Sequence, residues 1–167
     1  MGIKQDVFGL EQIYRLQVEG NWSTRDDVWL TPSPFTKAHP FGYIGGGGTP
    51  SHVSIIDRID YSNDTATASP KGPLSLTRAY LAAIGNSSFG YFGGGYGPGN
   101  ILVSLVDRVD YSNDAATAVA KGPLSATNTQ FAGVGNESFG YFVGGSPGGP
   151  AKSTVDRVDY SNDTATA

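Results

Sequence analysis

Asp107-Arg108-Val109-Asp110-Tyr111-Ser112-Asn113-Asp114 is the middle one of three near-copies in the chain. The same phrase stands at Asp57 to Asp64 with Ile59 in place of Val, and at Asp156 to Asp163. A second phrase keeps step with it: Phe41-Gly42-Tyr43 returns as Phe89-Gly90-Tyr91 and Phe139-Gly140-Tyr141, at offsets of 48 and 50 residues. Lys71-Gly72-Pro73-Leu74-Ser75 returns at Lys121 to Ser125. A fixed period of this length marks a repeat architecture in which each unit hides its apolar face against the next. Within the period, short runs bounded by turn residues predict strands. Phe89 to Phe92 reads as a strand stopped by Gly93-Gly94-Gly95, and Ile101 to Tyr111 as a second, with Val109 and Tyr111 on one face and Arg108 and Asp110 on the other. Ser112-Asn113-Asp114 reads as a tight turn. Ala115 to Ala120 is the third expected strand and Phe131 to Val134 the fourth, so each unit of about 50 residues carries the four strands of a propeller blade.

Composition agrees with an all-β chain. There are 24 Gly and 10 Pro among 167 residues, only 38% hydrophobic and 16% charged residues, and nine Tyr and eight Phe against two Trp. That is turn-dense and aromatic, unlike a helical bundle or a disordered tail. A net charge of -4 without a basic cluster argues against nucleic acid as a partner. No apolar run is long enough for a membrane-spanning helix, so membrane insertion is not expected, and Met1 to Asp6 lacks a secretory signal. The absence of cysteine excludes disulfides, thiolate metal sites and a cysteine nucleophile, leaving packing to hold the fold.

The pieces Tyr91-Phe92-Gly93-Gly94, Val109-Asp110-Tyr111-Ser112-Asn113 and Gly72-Pro73-Leu74-Ser75-Leu76-Thr77-Arg78 resemble kelch repeats, a resemblance that implies a β-propeller. The Trp usual in kelch blades after the turn is absent; Ala66 and Thr67 stand there, so packing between blades is expected to fall to Tyr61, Tyr111 and Tyr160. More narrowly, the wording from residue 41 to 167 is similar to glycine-rich repeat proteins of marine bacteriophages, especially cyanophages, which are virion structural or tail-fibre proteins. That resemblance implies a location in the virion, other virion proteins as partners, and homo-oligomers, trimers being usual in phage fibres.

From Phe41 the chain supplies about three kelch-like blades, the first without its initial strand, and three blades do not close a ring. A longer chain, several copies sharing one ring, or a stacked solenoid would each resolve this; the ending at Thr164 to Ala167, in mid-phrase, favours a fragment of a longer repeat protein. Residues 1 to 40 match nothing downstream. Val7, Leu10, Ile13 and Tyr14 fall at near-helical spacing, predicting an amphipathic helix from Asp6 to Glu19. Trp22, Trp29 and Phe35 follow on a Pro-rich stretch. Two roles suit these aromatics: packing on the first blade to supply its missing strand, or anchoring the chain in a larger assembly.

Catalytic signals are missing. Asp57 and Asp60 fall on opposite faces of a strand, and the calcium-loop pattern of alternating acids, central Gly and terminal Glu is absent. Arg58, Arg108 and Arg157 are therefore expected to pair with carboxylates of the same or a neighbouring blade. The glycine tract at 93 to 99 lacks a following Gly-Lys-Ser/Thr and a helix, so no nucleotide site is expected. His39 and His52 lie outside the repeated phrases, and neither a metal nor a cofactor is implied. The units are near-copies except in the loops Gly47 to Val53, Gly97 to Val103 and Ser146 to Lys152, as suits a constant scaffold with a variable binding surface. The expectation is a non-enzymatic bacteriophage tail-fibre or surface-appendage component, anchored by residues 1 to 40 and presenting its repeats for host-surface attachment, with a host-surface glycan among the candidate partners; the alternative is a kelch-type carbohydrate- or protein-binding scaffold.

Overall fold

The structure, a computed structural model, describes residues 39–48, 50–146 and 148–167. The chain divides into two compact units, Met1–Thr36 and Lys37–Ala167. The expected helix and the residues Val7, Leu10, Ile13, Tyr14, Trp22, Trp29 and Phe35 lie outside the described residues.

The second unit is all-β, built as three antiparallel meander sheets. The first holds β1 (Phe41–Gly45), β2 (Ile56–Asp60) and β3 (Ser69–Pro70). The second is complete, with β4 (Ala82–Gly85), β5 (Phe89–Gly93), β6 (Val106–Asp110) and β7 (Val119–Ala120) in that order. The third holds β8 (Ala132–Gly135), β9 (Phe139–Val143) and β10 (Val155–Asp159). Registers repeat from sheet to sheet: Tyr43 faces Arg58, Tyr91 faces Arg108 and Tyr141 faces Arg157. The sheets are propeller blades, and the ring is not closed by this chain alone.

Three strand expectations are corrected. Ile101 to Leu105 does not join the second strand, because Pro98–Asn100 forms a 3₁₀ turn and the chain folds back on itself, with Gly97 N–H donating to Ile101 O and Tyr96 bridging to Leu102. Tyr111 likewise lies past β6, in a 3₁₀ turn with Ser112 and Asn113. The strand expected from Ala115 to Ala120 shrinks to Val119–Ala120, since Ala116 N–H closes the turn on Asn113 O and Ala118 N–H goes to Pro73 O of the preceding linker. Finally, the strand expected from Phe131 to Val134 spans Ala132–Gly135 and opens the third sheet instead of closing the second. The blade thus begins one strand before the Phe-Gly-Tyr phrase, at Ala82 and Ala132.

The apolar core lies between sheets. Ile56, Leu74, Phe92, Val109 and Ala118 pack at the first joint, and Ala82, Ile84, Tyr91, Val106, Leu124, Phe142 and Val158 at the second. Each fully buried large side chain contributes about 1.5–3 kcal/mol by leaving water, so neither joint can form without its neighbour.

Candidate functional site

Between sheets, the repeated phrases build the same polar joint twice. Tyr43 on β1 and Arg58 on β2 both donate to Asp114 Oδ2, at 3.0 and 2.8 Å, while Lys71 of the linker lies 3.4 Å from Oδ1. One blade on, Tyr91 and Arg108 donate to Asp163 Oδ2 at 3.0 and 2.7 Å, and Lys121 lies 3.2 Å from Oδ1. Each Arg is also held over a Phe of its own sheet: Arg58 over Phe41 at 4.1 Å, Arg108 over Phe89 at 4.4 Å, Arg157 over Phe139 at 4.9 Å. Above the carboxylate the tyrosines stack in pairs, Tyr43 on Tyr111 at 4.6 Å and Tyr91 on Tyr160 at 4.9 Å, both nearly parallel. Tyr61 has no such partner among the described residues and is exposed.

The electrostatics follow from this geometry. Burial pushes the Asp163 carboxyl up, yet the hydrogen bonds from Lys121, Tyr91 and Arg108 outweigh it and leave its pKa below the ordinary carboxylate value. Asp114 is lowered in the same way, burial being overcome by Tyr43, Lys71 and Arg58. Burial and the neighbouring Asp114 push the Tyr43 phenol up to about 12. These are groups fixed in one charge state across the neutral range, which suits structural joints and not proton transfer.

A second polar device lies where the linker enters the next sheet. Ser75 donates from its backbone N–H and its hydroxyl to Asp107, at 3.0 and 2.6 Å, and Arg78 donates to the same carboxylate at 2.8 Å. Arg78 is 0% exposed and also donates to the carbonyls of Gly94, Leu105 and Phe92. In the next joint Ser125 donates to Asp156 at 2.5 Å, but the position of Arg78 is taken by Asn128, whose amide donates to Gly144 O and accepts from Thr129 N–H. Gly93 and Gly94 make room for this packing. A Cβ on Gly93 would meet the Phe142 ring at 2.7 Å, and Gly94 has a φ of 60°, with Asn128 O against the same spot.

The connections β1–β2, β5–β6 and β9–β10 all leave their sheets at one end, and they contain the three variable loops. Here Pro50, Ser51, His52 and Thr77 face Pro98, Gly99 and Asn100 across a shallow cleft of about 300 Å³, with His52 Nδ1 3.0 Å from Gly97 O. Three residues after Thr77 in the chain, Tyr80 is exposed and meets Tyr96 edge to face at 6.1 Å. Tyr80 has a φ of 57°, a strained value for a bulky residue, and its carbonyl accepts from Thr129 Oγ1 and Gln130 N–H, which hold it there. Among the described residues no three His, Asp or Glu side chains group as a metal site, and no helix is long and apolar enough to cross a membrane.

Sequence reading picked out Arg58, Arg108, Arg157 and the tyrosines but not their acceptors. Asp114 and Asp163 read as turn residues; only their strict recurrence eight positions into the phrase hinted at more. Arg78, Asp107 and Tyr80 were missed as functional positions, because a buried Arg and a left-handed Tyr leave no local signal.

No protein-family model matches this chain, and no curated protein matches it. Among solved structures it is similar to YjhT, a β-propeller-like fold, with a TM-score of 0.61 over 74% of this chain and 10% identity. The chain spans 47% of the length of that structure, just under half. At such low identity the likeness speaks for fold alone: an all-β chain of β-propeller blades.

Proposed function

We propose that this protein is a non-enzymatic structural and binding component of a bacteriophage virion, a tail-fibre or surface-appendage part that offers its loop face to a host-surface glycan. One observation carries the reading: three sheets built on near-identical phrases differ chiefly in loops that all emerge at the same end, where the exposed, backbone-locked Tyr80 meets Tyr96, next in the chain to the loop that starts at Gly97. An aromatic ring held without rotational freedom of its backbone is a low-entropy platform for the apolar face of a sugar. The phrasing of residues 41 to 167 supports the virion location by resemblance, and residues 1 to 40 would attach the chain to other virion proteins.

The test is binding of the intact protein to a panel of immobilised bacterial-surface glycans. Specific binding to at least one glycan is expected, and Tyr80→Ala should weaken it about tenfold or more, the worth of ~1.4 kcal/mol. Glycan binding indifferent to Tyr80→Ala would move the site elsewhere; binding to none, with retention of protein partners, would favour the kelch-type protein-binding scaffold.

A further inference from the structure

We infer that Tyr80 and Gln130 form one recognition pair for a neutral sugar, the ring taking an apolar face of the pyranose and the Gln130 amide two adjacent hydroxyls. This rests on the glycan reading above, to which it adds the second contact residue and the class of sugar.

The two residues hold the same place in successive repeats. Each stands just before the first strand of its sheet, Tyr80 ahead of β4 and Gln130 ahead of β8, at the end from which the variable loops leave. Both have left-handed backbones, with φ of 57° and 54°. Elsewhere the repeat gives such positions to glycine: Gly46 and Gly47, Gly94 and Gly95, Gly144 and Gly145. A residue with a Cβ is strained in that conformation and glycine is not. A Tyr and a Gln kept there, against the habit of the chain's own turns, point to a use for the side chains. Asn100 is the remaining non-glycine residue of positive φ among the described residues, and Asn is a type that tolerates it.

Both side chains are free for such a use. Tyr80 is 62% exposed with the third sheet packed beside it, so this position faces outward even in a completed joint, and Gln130 is exposed as well. Neither the Tyr80 hydroxyl nor the Gln130 amide has a hydrogen-bond partner among the described residues. Their backbones, by contrast, are fixed against each other: Gln130 N–H donates to Tyr80 O at 3.2 Å, and Thr129 Oγ1 to the same oxygen at 2.9 Å. Tyr96 braces the Tyr80 ring from the side. The pair is held at a set spacing, and binding has only side-chain rotations left to freeze.

The surrounding chemistry selects the ligand. A primary amide donates and accepts at once, which matches two neighbouring hydroxyls, while a tyrosine ring covers a C–H face. Charge is already spent. The linkers Lys71 to Leu81 and Lys121 to Phe131 and the three variable loops contain no Asp or Glu. Lys71 lies on Asp114, Lys121 on Asp163 and Arg78 on Asp107, and Lys152 Nζ donates to Thr127 O. An anionic sugar would find no free Lys or Arg in these segments and a cationic one no carboxylate, so the pair fits a neutral hexose.

The test compares binding of the intact protein to immobilised neutral polysaccharides (mannan, galactan and glucan) with binding to sialylated and uronate-bearing ones, beside urea unfolding. At least one neutral polysaccharide should be bound, with no preference for the charged ones. Gln130→Ala should weaken that binding about tenfold or more. Gln130→Gly should do the same while its urea midpoint stays level or rises, because glycine relieves the left-handed backbone. Binding unchanged in both variants, binding confined to anionic glycans, or a lower midpoint for Gln130→Gly would each overturn the inference. The two readings fail differently. If Tyr80→Ala weakens a binding that the Gln130 variants leave intact, the pair is refuted and the glycan reading stands; a protein that binds no glycan refutes both.

Discussion

Asp163 shows how much one carboxylate does in this fold. It receives Tyr91, Arg108 and Lys121 from the preceding sheet and is almost fully buried. Asp163→Asn keeps the shape but removes the charge that three donors share, and should cost about 1.5–3 kcal/mol in urea unfolding at neutral pH. The pH dependence has a definite sign. Asp114 and Asp163 are lowered in the folded state, so the unfolded chain binds protons more readily. Their stabilisation is present above the unfolded value of about 3.9 and is lost as pH falls through the folded value. Wild-type stability should therefore drop below about pH 4, and the acid arm of the profile should be flatter in Asp163→Asn. Equal acid arms would show that other carboxylates dominate.

Among the elements, the linker from Lys71 to Leu81 and the strand β5 set how one sheet meets the next. Arg78 satisfies three carbonyls and one carboxylate at the centre of that meeting. Asp107→Ala would leave the guanidinium buried and uncompensated, at a cost of about 3–5 kcal/mol. At the next joint the neutral Asn128 stands in the place of Arg78 and donates to Gly144 O while Ser125 donates to Asp156, so Asn128→Ala should cost less, about 1–2 kcal/mol for a buried amide hydrogen bond. Chemical denaturation of both variants checks the order. Gly93 on β5 lies under the Phe142 ring, and Gly93→Ala should destabilise by about 1–3 kcal/mol through overpacking. A change within ±0.5 kcal/mol, the range of a free surface position, would mean that the ring moves aside.

For the whole molecule, stability resides in joints between neighbouring sheets, as in any repeat array. The same logic explains why the loop face can vary: none of the apolar core residues of the two joints lies in the loops Gly47 to Val53, Gly97 to Val103 or Ser146 to Lys152, so their sequence is free to follow a ligand.

The sequence by itself determined the period, the all-β character, the number of blades and the arginines and tyrosines of the repeated phrases, because strands and turns are written in short local patterns that recur every 48 to 50 residues. Strand ends and blade phase were decided only by the tertiary structure: Ala118 N–H bonds the preceding linker rather than its own sheet, and β8 pairs with β9, leaving the strand before it to another blade. The acceptors Asp114 and Asp163, the buried Arg78 and the locked Tyr80 belong to the same class. Their partners are distant in the chain, 55 and 56 residues away for the two ion pairs, and a pattern that is local cannot say which distant group a side chain will meet.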